Sequence, residues 1–200
     1  PSFASTDLSS VKAICSGGST VPAPLVRRFE EQLGAPFTIV FGQTECSPVA
    51  AQTRTDDSVE DKANTIGLPL PNMETKIIDP NTGETVPIGT VGEFCTRGYH
   101  IMLGYFEMPD ATAAAIDADG WLHTGDLCAM DARGYCTVEG RLKDMIITGG
   151  FNVYPSEVEA ALRRVEGVAD AAAVGLPTET GGEDVVAAVR FLLELAPGTF

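Results

Sequence analysis

Five short polar stretches hold the side chains of this sequence that could do chemistry: Ser16-Gly17-Gly18-Ser19, Phe41-Gly42-Gln43-Thr44-Glu45, His123-Thr124-Gly125-Asp126, Gly140-Arg141-Leu142-Lys143-Asp144 and Thr148-Gly149-Gly150-Phe151. Binding a single nucleotide takes little more than such stretches contain: backbone amides, a metal ion and one or two cations suffice. Each stretch also has a plain reading on its own. Gly17-Gly18 can be a turn, Glu45 can cap a following segment, Asp126 can close an Asx-turn and Lys143 can lie in a solvated linker. His123 reads as a packed or surface histidine rather than a catalyst. Asp117-Ala118-Asp119-Gly120 has its glycine too early for a calcium loop and reads as a turn.

The elements that must position these stretches fall into three regions. In the first, Val11 to Cys15 reads as a strand ended by Ser16-Gly17-Gly18-Ser19. A helix is expected from about Pro22 to Leu33, with Leu25, Val26, Phe29 and Leu33 on one face and Gly34 as its stop. Phe37 to Phe41 reads as a second strand, closed by Gly42-Gln43-Thr44-Glu45. A right-handed crossover makes the two strands parallel neighbours. Both glycine-containing turns then sit at the carboxyl edge of an α/β sheet, where such folds bind ligands.

The second region alternates in short segments, at Thr75 to Ile78, Glu93 to Arg97 and Tyr135 to Arg141. Turns at Asp79 to Gly83 and Asp131 to Gly134 separate them, the pattern of a small antiparallel sheet or barrel. The third has a short strand at Met145 to Ile147 and a helix from Ser156, with Ser156 and Glu159 as a capping box. Val158, Ala161, Leu162 and Val165 recur there at helical spacing, and strands follow at Val168 to Val174 and near Val185 to Leu193. Ala196 to Phe200 reads as a loop. The expected fold is therefore mixed α/β. Residues 1–63 end a parallel α/β subdomain, 64–142 form a small β-rich, barrel-like subdomain, and 143–200 begin an α+β domain.

Composition narrows the partners. A formal charge of −15 with 13 scattered Lys and Arg argues against nucleic acid and against an anionic membrane surface. The apolar run from Val185 to Leu195 is broken by Arg190 and Glu194, so no membrane-spanning segment is expected. Five cysteines without a C-x-x-C pair, and only two histidines, give no zinc spacing. An odd number of free thiols fits a reducing, cytoplasmic setting. Nothing in the sequence specifies an oligomeric state.

In order along the chain stand S-G-G-S, F-G-Q-T-E, G-E-F-C-T-R-G-Y-H-I-M-L-G-Y, W-L-H-T-G-D and G-R-L-K-D-M-I-I-T-G-G-F-N-V-Y-P-S-E-V-E. Together they resemble the adenylate-forming superfamily: acyl-CoA synthetases, luciferases and peptide-synthetase adenylation domains. The third and last motifs look most like fatty-acyl-CoA ligases of medium or long chain. The resemblance implies ATP, Mg²⁺, coenzyme A and a fatty acid as small-molecule partners. It also implies two half-reactions, acyl-adenylate formation with release of pyrophosphate and then thioester formation with release of AMP.

Carried over residue by residue, the resemblance places the backbone of Gly17, Gly18 and Ser19 against adenine and Phe41 beside the purine, with Gly42 and Gln43 in the same turn. It gives Thr44 a phosphate oxygen and Glu45 the Mg²⁺. Asp126 would accept the ribose hydroxyls, and Arg141 would donate on the ribose or phosphate side. Lys143 would mark the hinge of a mobile domain, and Gly149, Gly150 and Phe151 the loop brought in for thioester formation. Some relatives carry a lysine four residues beyond the hinge, where this chain has Ile147. The phosphate loop is expected before residue 1 and the catalytic lysine after residue 200, so the resemblance implies an internal piece without ligase activity of its own. Two other readings stay open: an adenylate-forming enzyme with another acceptor, such as a carrier-protein thiol, and a non-catalytic nucleotide-binding module.

Overall fold

A computed structural model describes residues 6–19, 21–178 and 182–191. Its first two strands are the parallel pair that the pattern predicts. β1 (Ile14–Gly17) lies beside β2 (Phe37–Phe41), with Ile14 opposite Phe37 and Gly17 opposite Val40. Between them, α1 (Ala23–Leu33) stops at Gly34, whose left-handed φ of 59° lets its N–H reach the Glu30 carbonyl. Val26 is fully buried, and Phe29 stacks on Phe37 with ring centroids 5.6 Å apart. Burying side chains of this size contributes roughly 1.5–3 kcal/mol each, which fixes the helix on the sheet. Leu25, expected on the same face, is exposed instead.

β1 begins and ends later than its apolar run suggested. Ser16 and Gly17 belong to the strand rather than to a turn, because the pairing with β2 continues through them. A side chain at Gly17 would meet the Val40 carbonyl oxygen at 2.5 Å. The turn starts at Gly18, which has a φ of 80°. Two short antiparallel strands extend this sheet, β3 (Ala51–Gln52) and β4 (Leu68–Pro69), giving the order β1-β2-β3-β4. Between β3 and β4, α2 (Val59–Asn64) is capped by the Ser58 hydroxyl, which accepts from Asp61 N–H at 3.0 Å. Lys62 of α2 is buried and donates to Glu30 of α1 at 2.9 Å.

A second four-stranded sheet has the order β5-β6-β7-β8: β5 (Glu74–Ile78), β6 (Gly92–Arg97), β7 (Leu122–Met130) and β8 (Cys136–Arg141). β5 and β6 run antiparallel, with Lys76 opposite Cys95 and Ile78 opposite Glu93. The sheet is open, so the barrel-like expectation resolves into a sheet. Phe94, Leu122, Cys128 and Cys136 are fully buried and build its core with Ile77 and Ile66. Because strand side chains alternate, Glu93 and Cys95 share the face opposite Phe94. α3 (Pro109–Ala115) precedes β7. The turn at Asp117 forms as expected, its carboxylate accepting from the N–H groups of Asp119 and Trp121, both at 2.9 Å.

The chain divides into two units. One takes residues up to Thr124 together with Cys128–Val138, and the other takes Gly125–Leu127 together with residues from Glu139 onward. In the second unit, β9 (Ile146–Thr148) and β10 (Phe151–Val153) form an antiparallel hairpin. α4 (Pro155–Arg163) packs on β11 (Val168–Pro177), which pairs antiparallel with β12 (Glu183–Phe191). The expected capping box of α4 does not form. Tyr154 holds the N-cap position, the Ser156 hydroxyl donates to the Glu139 carbonyl, and Glu159 accepts from Ala173 N–H at 3.1 Å. The end of the strand expected to reach Leu193, and the loop at Ala196 to Phe200, lie outside the described residues. Among the described residues no helix is long and apolar enough to cross a membrane.

Candidate functional site

The carboxyl ends of β1 and β2 are adjacent, so Gly17, Gly18 and Ser19 come to the same sheet edge as Phe41, Gly42 and Gln43. Beyond Gln43 the chain makes a single 3₁₀ turn, Thr44–Cys46. Two contacts dictate its shape. A Cβ on Gly42 would lie 1.9 Å from the Pro48 carbonyl oxygen, so only glycine fits where the chain doubles back. The buried Cys46 thiol accepts from Gln43 N–H at 3.1 Å and donates to the Gln43 carbonyl at 3.2 Å. Phe41 meets Phe94 edge-on, with centroids 5.2 Å apart, and packs against the core.

The turn leaves Thr44 exposed and Glu45 half-buried. Glu45 is held at both ends by a segment far along the chain. Met102 N–H donates to its carbonyl at 2.8 Å, and the Tyr105 hydroxyl donates to its Oε1 at 2.8 Å. The hydrogen bond to the Glu45 carboxylate raises the Tyr105 phenol above its ordinary value. Sequence reasoning took Tyr105 only as part of a motif. A single hydroxyl donor leaves a carboxylate with further lone pairs, so Glu45 fits a hard cation that completes its shell from phosphates and water.

In the second unit, Asp126 is buried and Arg141 exposed, with Arg141 Nε 3.3 Å from Asp126 Oδ1. The two residues expected on the ribose and phosphate side therefore stand together as an ion pair. Lys143 is exposed in the 3₁₀ turn Leu142–Asp144, directly after β8. Gly149 and Gly150 are the two central residues of the β9–β10 hairpin, with Thr148 paired to Phe151. Their φ values of 56° and 83° are those of a two-residue turn matched to strand twist. Phe151 is largely exposed beside them.

One cluster escaped sequence reasoning. Glu93 and Cys95 on β6 meet His123 on β7. His123 Nδ1 lies 2.9 Å from Glu93 Oε2 and 3.7 Å from Cys95 Sγ, and its Nε2 lies 3.6 Å from Asp117 Oδ2. Burial, reinforced by the Glu93 charge, pushes the Cys95 thiol up to about 12. The available signal was the i, i+2 spacing of Glu93 and Cys95 in an alternating strand; the position of His123 depends on which strands pair. His123 is thus neither simply packed nor simply at the surface.

Comparison with known proteins adds the family. The sequence pattern of the family described as "AMP-binding enzyme" matches residues 1–106, and that of the "AMP-binding enzyme C-terminal domain" matches residues 157–196. A putative acyl-CoA synthetase of Bacillus subtilis (YngI) is 46% identical over 191 residues, covering 95% of this chain and 35% of that protein. The mitochondrial medium-chain acyl-CoA ligase ACSF2 of Bos taurus is 39% identical, over 95% of this chain and 31% of its own. The amide bond synthetase McbA of Marinactinospora thermotolerans superposes with a TM-score of 0.79 at 36% identity, over 96% of this chain and 39% of its own. The chain spans about a third of the length of the curated relatives it matches.

Proposed function

We propose that this chain, which belongs to the AMP-binding enzyme family, supplies part of the nucleotide-binding and hinge machinery of an acyl-CoA ligase acting on a fatty acid. The observation that carries the proposal is the Thr44-Glu45 turn at the carboxyl edge of a parallel strand pair, its carboxylate oriented by Tyr105. The acyl-CoA ligase names of the relatives support the same reading.

In the first half-reaction a carboxylate oxygen attacks the α-phosphorus of ATP, and the bond to the pyrophosphate oxygen breaks. In the second, the sulfur of coenzyme A attacks the acyl carbon and AMP leaves with the bonding pair, the thiol proton passing to solvent or phosphate. Positioning and charge neutralisation carry both steps.

Glu45 would hold Mg²⁺, which when bound neutralises charge on the phosphates. Thr44, exposed on the same turn, would donate its hydroxyl to a phosphate oxygen. The glycine backbone of residues 17–18 and Ser19 would admit adenine, with Phe41 beside it. The Asp126 carboxylate offers two acceptor oxygens to paired ribose hydroxyls, and Arg141, already bound to Asp126, adds a planar fork of donors. Residues from 143 onward would move as a domain about Lys143 between the half-reactions, because a rotation of this kind concentrates in a few backbone torsions.

The test is exchange of labelled pyrophosphate into ATP by the ligase containing these residues, across fatty acids of increasing length. Exchange with medium or long chains, lost by about a hundredfold or more in Glu45→Ala, is the expected result. No exchange with any carboxylic acid would overturn the ligase reading. A second reading hands the acyl-adenylate to an acceptor other than coenzyme A. The likeness to an amide bond synthetase over nearly the whole chain favours it. Product analysis with coenzyme A, a carrier-protein thiol and simple amines as competing acceptors separates the two.

A further inference from the structure

We propose that Glu93, Cys95 and His123 form a binding site for one thiophilic divalent metal ion, with zinc as the natural example. Their donor atoms all lie within 4.8 Å of one another. Around a tetrahedral zinc, with Zn–S of about 2.3 Å and Zn–N or Zn–O of about 2.0–2.2 Å, neighbouring donors sit roughly 3.3–3.6 Å apart. The observed 2.9 Å from His123 Nδ1 to Glu93 and 3.7 Å to Cys95 bracket that spacing. Glu93 and Cys95 project from one face of β6, and His123 projects from its neighbour β7. The three donors are therefore fixed by paired strands rather than by a mobile loop, which favours a defined coordination geometry.

The arrangement around His123 points to a cation. A neutral imidazole has one N–H and one lone pair, yet this ring has a carboxylate on either side. Glu93 faces Nδ1, and Asp117 faces Nε2 at 3.6 Å. In the metal-free site the 2.9 Å contact is an Nδ1–H donated to the buried Glu93 carboxylate, beside the fully buried sulfur of Cys95. A divalent ion at that point would displace the Nδ1 proton, the ring carrying its N–H on Nε2 toward Asp117 instead, and turn the three groups into ligands. Asp117, at 3.6 Å too far for a hydrogen bond, would close on the Nε2–H to hold the ring from behind, as carboxylates commonly do for metal-bound histidines.

The charged groups facing the thiol are Glu93 on its own strand, Asp117 before β7 and Lys76 on β5. The Lys76 ammonium sits over the Trp121 ring, 4.3 Å from its centroid. Metal binding would release the thiol proton to solvent, leaving sulfur as thiolate on the ion.

Titrating the whole reduced chain with Co²⁺ tests the site. One equivalent should bind with a near-ultraviolet thiolate-to-cobalt charge-transfer band that zinc displaces. The band should vanish in Cys95→Ser and persist in Cys15→Ser, since Cys15 is the exposed thiol. Affinity should fall about tenfold in Asp117→Asn, the loss typical of a partner that orients a metal-bound histidine. X-ray absorption on the zinc-loaded, unaltered chain needs no variant to fold and should show one sulfur and one imidazole nitrogen. A shell without sulfur, a band that survives Cys95→Ser, or no saturable uptake would overturn the proposal.

Discussion

The Tyr105 hydroxyl donates to Glu45 Oε1 at 2.8 Å across 60 residues of sequence. Together with the Met102 N–H on the Glu45 carbonyl, it ties the acidic turn after β2 to the segment before α3. A carboxylate with one oxygen engaged in this way has a restricted rotamer, which keeps the rest of its lone pairs aimed in one direction.

The first prediction tests that restraint. Tyr105→Phe keeps the ring and removes only the hydroxyl. In the proposed ligase, the Mg²⁺ concentration for half-maximal rate should rise about three- to tenfold, the range for an ordinary intramolecular hydrogen bond. The rate at saturating Mg²⁺ should change less. A variant with unaltered Mg²⁺ dependence would show that Tyr105 does not position Glu45.

Gly42 supplies a prediction about stability. A methyl group there would lie 1.9 Å from the Pro48 carbonyl oxygen and 2.9 Å from Val49 Cα. Both neighbours are backbone, so relief requires the turn itself to shift. Gly42→Ala is expected to lose about 2–3 kcal/mol in urea unfolding, in line with forced overpacking. Gly83→Ala is the comparison: among the described residues beyond its chain neighbours no atom lies within 4 Å of its Cβ position, and its φ of 76° opposes the change. It should cost about 1 kcal/mol. Equal losses would mean that the turn shifts to admit the methyl group at little cost, since Gly42 has no positive φ of its own.

Lys62 and Glu30 couple α2 to α1, and the pair has a pH signature. Burial alone would raise the Glu30 carboxyl, but hydrogen bonds from Phe37 N–H and Lys62 outweigh it and hold the group below its ordinary 4.5. A depressed folded value means that its contribution to stability is complete above pH 4.5. That contribution disappears as pH falls through the lower folded value. Lys62→Ala removes one of the two partners and should cost about 2–3 kcal/mol near neutrality, less than breaking a fully enclosed pair because Glu30 keeps some contact with water. Denaturant titrations between neutrality and pH 3 should show a smaller acid loss for the variant. An equally steep acid loss would mean that Lys62 does not hold the carboxyl down.

These sites differ in how far the sequence exposes them. The α1 helix, its stop at Gly34 and the β2 strand follow from local spacing, because periodicity and a left-handed glycine act within a few residues. β7 was recognised only as a motif, since Gly125 and Asp126 interrupt any alternation and pairing with its neighbours decides that it is a strand. Ser156 and Glu159 had the right spacing for a capping box but found partners elsewhere, at the Glu139 carbonyl and the Ala173 N–H. The same division runs through the candidate site. The Thr44-Glu45 turn is legible because its chemistry is contiguous. The partnership of Glu45 with Tyr105, and of Glu93 and Cys95 with His123, depends on contacts across 28 to 60 residues that no local pattern encodes.

Gly149 and Gly150 pose the last question, whether they serve only the hairpin. Both carry positive φ, and the register places them as the two central turn residues. Asparagine tolerates the left-handed region and is favoured before glycine in such turns, so Gly149→Asn should leave the hairpin and the thermal midpoint unchanged. Among the described residues beyond its chain neighbours, the nearest atom to a Cβ at that position is Phe151 Cδ2, at 4.0 Å. If the loop also forms a narrow path for the thiol substrate, the added amide should slow thioester formation by about tenfold or more while pyrophosphate exchange stays at its original rate. Rapid-quench measurement of the two half-reactions makes the distinction. Unchanged rates in both would assign these glycines to the turn alone, and a fall in both would place their effect before the acyl-adenylate forms.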